Sequence, residues 1–278
     1  MKPLSVQALE TIGKEWDKGK GTREAHLRET KAFANFVQER FALEKLQNLK
    51  TAHVESYVAH LQERGLARGT ICNHMTAVRN LAEAIGKRNI VARDNVSYGV
   101  NRVSRQNPVV QNTAKVNEIR AEIAARANAG DRIAMMCHAA AELRDAFGLR
   151  AEESLMSSKL VGAIQSLLVE GAKGGRLREL PPMNEIQAHA AVQIALVSKA
   201  LGSATGRIMP PELTLKQAYN AQRTLWRELG GTRANGAHMH AARHAEAQRM
   251  HKEGVPHSEI MERMGHSGGR SPFCYIPK

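Results

Sequence analysis

Between Asp94 and Ala114 the chain loses its apolar period, and this break limits the possible folds more than any other feature. The stretch is rich in Asn, Gln, Ser and Val and contains Pro108, a composition that punctuates elements instead of building them. Apolar residues recur at helical spacing on both sides of it, and 278 residues are enough for two separate cores. The expected organisation is an amino-terminal domain over 1–100, a linker over 101–113 and a carboxy-terminal domain over 114–278.

Upstream of the break, Leu27, Phe33, Phe36, Val37, Phe41 and Leu43 recur at three- and four-residue intervals and predict a helix from Thr22 to about Leu46. Thr51 is the expected N-cap of a helix over Ala52 to Arg64 closed by Gly65, and Thr70 that of a helix over Ile71 to Ile85 closed by Gly86. The first domain is therefore expected to be a small helical bundle. Downstream, helices are predicted over Val116 to Ala127, Arg132 to Phe147, Glu185 to Leu201, Leu215 to Leu229, Met239 to Lys252 and His257 to Met264. One change of period interrupts them. SLLVEG and RLRELP are short strand-like runs separated by AKGG, the pattern of a β-hairpin with Lys173 at its tip. Aromatics make up only 4% of the chain, which favours helix over sheet. The fold class expected is mainly α with a small antiparallel β-sheet.

Forty Lys and Arg against 27 Asp and Glu leave a formal charge of +13, enough to attract a polyanion. That balance names a partner class, nucleic acid, and says nothing about chemistry. Cys72, Cys137 and Cys274 are too few and too scattered for a disulfide framework or a CxxC metal site, and the start has no signal-peptide pattern. The expectation is a soluble, reduced, cytoplasmic and nucleoid-associated protein with no membrane contact. No GxxxxGK[ST] loop is present, so nucleotide hydrolysis is not supported. His238, His240 and His244 have HxH and HxxxH spacings that would suit zinc with help from His251, but no Cys or carboxylate completes a familiar ligand set. No metal and no cofactor are expected.

Four patterns follow one another in the second half: FGLRAEES around Arg150, AKGGR around Lys173, HAAR from His240 to Arg243, and MGHSGGRSPFCY ending at Tyr275. His266 falls 23 residues after Arg243, and Tyr275 falls 9 after His266. In order and spacing this series resembles the tyrosine recombinases of the phage-integrase family, with Met264 where the family has Leu. The specific likeness covers residues 147 to 275; the amino-terminal bundle matches only in size, basicity and helicity.

The resemblance implies a two-domain DNA clamp, a helical core-binding domain joined to a catalytic domain. It makes Tyr275 the nucleophile that attacks a scissile phosphate, giving a 3′-phosphotyrosyl bond and a free 5′-hydroxyl. Arg150 and Arg243 would hold the non-bridging oxygens, which suits guanidinium donors. His240, three residues before Arg243 on one expected helix face, would hydrogen-bond the phosphate or take the tyrosine proton. His266 would add another phosphate contact, Lys173 would give the leaving oxygen its proton, and Glu153 would orient the Arg clamp without reacting. The implied partner is double-stranded DNA, engaged by a homotetramer on paired sites through a Holliday junction, with accessory DNA-bending proteins as further possible partners. Only three residues follow Tyr275, too few for a carboxy-terminal helix that packs into a neighbour, so the free protein is expected to be mostly monomeric. Two other readings share these features: a basic accessory factor that keeps the scaffold without cutting, and a type IB topoisomerase or telomere resolvase.

Overall fold

A computed structural model describes residues 2–13, 20–101, 110–156, 159–162, 165–171 and 177–266. The chain divides into two compact units, Met1–Ser104 and Arg105–Lys278.

The first unit is helical: α1 (Leu4–Ile12), α2 (Lys20–Phe41), α3 (Thr51–Glu63) and α4 (Arg68–Ala84), with single 3-10 turns at Leu46–Asn48, Arg88–Ile90 and Val96–Tyr98. Phe33, Val37, Tyr57, Leu61, Met75 and Leu81 are buried in one core, and the Phe33 and Tyr57 rings meet edge-on at 5.1 Å. Three expected helix limits are corrected. α2 stops at Phe41, before the expected Leu46, because Ala42 takes a left-handed φ of 49°. α3 is capped by extended Lys50, so Thr51 is its first helical residue; the Lys50 amide donates to His53 Nδ1 at 3.2 Å. α4 starts at Arg68 after Ala67, with Thr70 already inside it.

The second unit contains α5 (Thr113–Asn128), α6 (Arg132–Phe147), α7 (Ala151–Met156), β1 (Lys159–Val161), β2 (Ser166–Glu170), β3 (Leu177–Leu180), α8 (Glu185–Ala200), α9 (Leu215–Glu228), α10 (Ala241–Lys252) and α11 (His257–Arg263). Its strands form an antiparallel sheet in the order β1-β2-β3. Leu167 pairs with Leu180 and Val169 with Arg178, so the period-two alternation turns Leu167, Val169 and Leu180 towards the core. α6 is the central helix, burying Met136, Cys137, Ala140, Leu143 and Phe147. It begins sharply because Asp131 accepts from the amides of Ile133 (2.8 Å) and Ala134 (3.1 Å), an N-cap that stabilises a helix by about 1 kcal/mol. It ends sharply at Gly148, whose φ of 63° breaks the helix. Ala247, Met250, Ile260 and Met264 make a small separate core between α10 and α11, which holds the turn leading to His266. Among the described residues no helix is long and apolar enough to cross a membrane.

Candidate active site

The site begins where α6 stops. A Cβ on Gly148 would lie 3.1 Å from Glu246 Cγ and 3.2 Å from Met264 Sδ, so glycine is needed there for space as well as for φ. Leu149 then buries, and Arg150 is delivered to the start of α7. Glu153 sits three residues on and caps that start: its Oε2 accepts from the Arg150 amide (2.9 Å) and its Oε1 from Arg150 Nη1 (2.6 Å).

Glu153 has no exposed side-chain surface, and three guanidiniums surround it. Arg178 of β3 donates from Nη2 to Oε2 at 2.9 Å, and Arg243 Nη1 of α10 lies 3.9 Å from Oε2. Burial pushes the Glu153 carboxyl up, but the Arg178 hydrogen bond and charge, with the amide and charge of Arg150, outweigh burial and hold it at about 2. The carboxylate is therefore an anchor, ionised at any working pH.

Arg243 is fully buried. Its Nη1 donates to the Gly148 carbonyl at 2.8 Å and its Nη2 to the Met264 carbonyl, with His266 Nε2 3.0 Å from Nη2. It thus ties the end of α6 to the turn after α11. Arg178 makes a second tie between the sheet and that turn by donating from Nε to the Arg263 carbonyl at 3.0 Å. Gly265 accommodates both: its φ is +61°, and a Cβ there would come within 2.7 Å of Arg178 Nη1. His266 is pushed down to about 4, first by burial and then by the charges of Arg243, Arg150 and Arg178, so it is neutral at pH 7. A neutral ring that accepts at Nε2 carries its proton on Nδ1.

His240 is exposed and caps α10, which starts at Ala241. The expectation that His240 and Arg243 share one helix face is corrected on this point: the cap turns His240 to the surface while Arg243 points into the fold. His240 lines an open pocket of ≈ 660 Å3 together with Arg150, Tyr219, Trp226 and His238. Of the six expected catalytic residues, Arg150 and His240 meet at this pocket, Arg150 joins Arg243 and His266 around Glu153, and Lys173 and Tyr275 lie outside the described residues. The His238 and His240 rings stack at 6.5 Å, and His240 meets the buried His244 edge-on at 5.4 Å. Among the described residues no three His, Cys, Asp or Glu side chains gather as metal ligands.

Sequence reasoning missed Arg178. A signal was available: Leu180 points inward, so residue 178, two positions back on the same strand, does too, and an inward-facing Arg demands a buried acid.

The fold resembles solved site-specific DNA recombinases. The XerH recombinase bound to its difH substrate, in a pre-cleavage complex, matches with a TM-score of 0.65 at 16% identity over 98% of this chain and 80% of that one. A lambda integrase dimer bound to a COC′ core site matches with 0.67 at 12% identity over 98% and 75%. The Tn1549 transposon integrase in complex with circular intermediate DNA matches with 0.65 at 17% identity over 100% and 96%. No curated protein sequence matches the chain. The family model described as "Phage integrase, N-terminal" matches residues 1–91, and the one described as "Integrase" matches residues 103–249. The chain belongs to the phage-integrase family of tyrosine recombinases.

Proposed function

We propose that this protein cleaves and rejoins duplex DNA at specific sites, with Tyr275 as the nucleophile. One observation supports this most. Arg150, Arg178, Arg243 and His266 come from four separate stretches of chain and gather around the buried Glu153 carboxylate beside a cationic pocket. A phosphodiester under attack gains negative charge on its non-bridging oxygens, and fixed donors aimed at that charge lower the barrier. Arg150, about a quarter exposed at its side chain, is the donor that reaches a phosphate in the pocket without rearrangement. Arg243 does so by exchanging the Gly148 and Met264 carbonyls for phosphate oxygens. His240 on the pocket wall hydrogen-bonds the phosphate or takes the tyrosine proton, and neutral His266 donates from Nδ1.

Tyr275 Oη attacks the phosphorus, the bond to the 5′ oxygen breaks, and Lys173 protonates that oxygen as it leaves. The phosphotyrosine keeps the bond energy, so the free 5′-hydroxyl of a partner strand reverses the step without ATP. Both units contribute to binding duplex DNA, and four copies on two sites complete exchange through a Holliday junction.

A nicked suicide duplex carrying the target site tests the nucleophile. Tyr275→Phe should bind as the parent does and trap no covalent adduct; an adduct formed at the parental rate refutes the assignment. Comparing exchange between paired sites with relaxation of a plasmid lacking a site separates a recombinase from a topoisomerase.

A further inference from the structure

The pocket that holds Arg150 and His240 carries more positive charge than one phosphate requires. Arg223 and Arg227 are four residues apart on α9, so they project from one face, and both line the pocket. Arg233 reaches it from the turn after Gly231. All three are exposed, and among the described residues none makes an ion pair, whereas Arg120, Arg126, Arg132, Arg207 and Arg249 each hold a carboxylate. With Arg150, four guanidiniums face the cavity, against Glu152 as the acid on its wall. The base they stand on is fixed. Trp226 Nε1 donates to the Ala237 carbonyl at 2.7 Å, and the Arg144 guanidinium lies 5.0 Å from the indole centroid. A Cβ on Gly231 would fall 2.0 Å from Trp226 Cδ1, so only glycine lets the turn carrying Arg233 close against the ring.

We infer that Arg223, Arg227 and Arg233 bind the backbone phosphates that flank the scissile phosphate, so that the pocket takes a run of phosphates on the cut strand. Residues four apart on a helix have Cβ atoms about 6 Å apart, close to the separation of neighbouring phosphates along one strand. A cavity of ≈ 660 Å3 has several times the volume of one phosphate group. The arginines at its rim are positioning residues: they set where the strand lies, and Arg150 and His240 act on the phosphate so placed. The inference rests on the proposed DNA cleavage, and its test separates the two.

Two measurements on the full-length protein decide it. Affinity for a plain duplex of about 30 base pairs is titrated against salt for the parent, Arg223→Gln, Arg227→Gln and the double variant. Each lost phosphate contact should flatten the log–log slope by about 0.9, and Arg223→Lys/Arg227→Lys should restore it. Covalent trapping is then measured on the duplex the parent cleaves, with single neutral methylphosphonates placed around the scissile position. The parent should lose trapping when a particular flanking phosphate is neutralised, and the Gln variants should be insensitive at that position while remaining sensitive elsewhere. Variants that keep the parental salt slope, or that respond like the parent to every methylphosphonate, overturn the inference. A parent that traps no adduct on any duplex instead overturns the cleavage reading, and the salt slopes still test the arginines.

Discussion

Glu153→Gln is the most direct test of the buried charge cluster, because it removes the charge and leaves the volume. An ordinary Glu titrates near 4.5, and the folded unit holds Glu153 at about 2. At about 1.4 kcal/mol per pH unit, that difference stabilises the folded unit by about 3 kcal/mol at neutral pH. Glutamine retains one acceptor for Arg150 or Arg178 and turns an N–H2 group towards the other guanidinium, so the loss should be close to that full value. It also falls within the range of about 3 to 5 kcal/mol for removing one partner of a buried ion pair. The sign of the pH dependence follows from the direction of the shift. The folded value lies below the unfolded one, so the stabilisation is complete above about pH 4.5 and is lost as pH falls towards 2. At pH 4 the unfolded carboxyl is already mostly protonated, and the gap between parent and variant should narrow by about 1 kcal/mol relative to pH 7. Hydrogen exchange of the α6 and α10 amides reads the second unit separately from the first. A Gln variant within about 0.5 kcal/mol of the parent at pH 7, or a gap that does not narrow at pH 4, would refute this account.

Gly265→Ala should destabilise the second unit by about 1 to 2 kcal/mol, because φ +61° is strained for alanine and its Cβ collides with Arg178; urea denaturation measures it, and a neutral result would remove the steric role of this glycine. His266, held at about 4, should contribute no limb near pH 6.5 to a cleavage–pH profile, and its effect on stability should be a loss as pH falls from about 6.5 to about 4; a His266→Gln variant that removes a limb near 6.5 contradicts this. Lys173→Ala should cleave poorly and recover on a substrate whose leaving 5′ oxygen is replaced by sulfur, which departs without a proton; equal defects on both substrates would exclude Lys173 as the acid.

The helices of the second unit were legible because a 3.6-residue apolar period coincided with real stops, as at Asp131 and Gly148 around α6. The hairpin was legible from its change of period. Local rules failed where a cap carries no side-chain bond. Lys50 and Ala67 precede α3 and α4 and offer no side-chain oxygen to cap them, so the nearby threonines drew the prediction. The short helix α1 and strand β1 were not read: α1 presents Leu4 and Ala8 to a core formed mostly by later helices, and β1 exists through its pairing with β2. In the site, spacing located the residue types but not their depth. Nothing local to HAAR distinguishes a surface cap at His240 from an enclosed Arg243, since that follows from where Gly148 and Met264 place their carbonyls.

Two depressed titrations report one electrostatic field. Arg150, Arg178 and Arg243 face a single carboxylate, which leaves an excess of positive charge in a largely buried place. Against burial, which raises it, the attraction of Arg178 and Arg150 holds Glu153 ionised. After burial, the repulsion of all three arginines keeps His266 neutral, opposed by Glu153, which raises it. A second carboxylate would raise both values and weaken the positive field around Arg150. The coupling is therefore directional: Glu153→Gln should lower the His266 value further, which NMR titration of the ring would register. An unchanged or raised His266 value in that variant would mean that burial alone sets the histidine, and that the three arginines do not act on the site as one field.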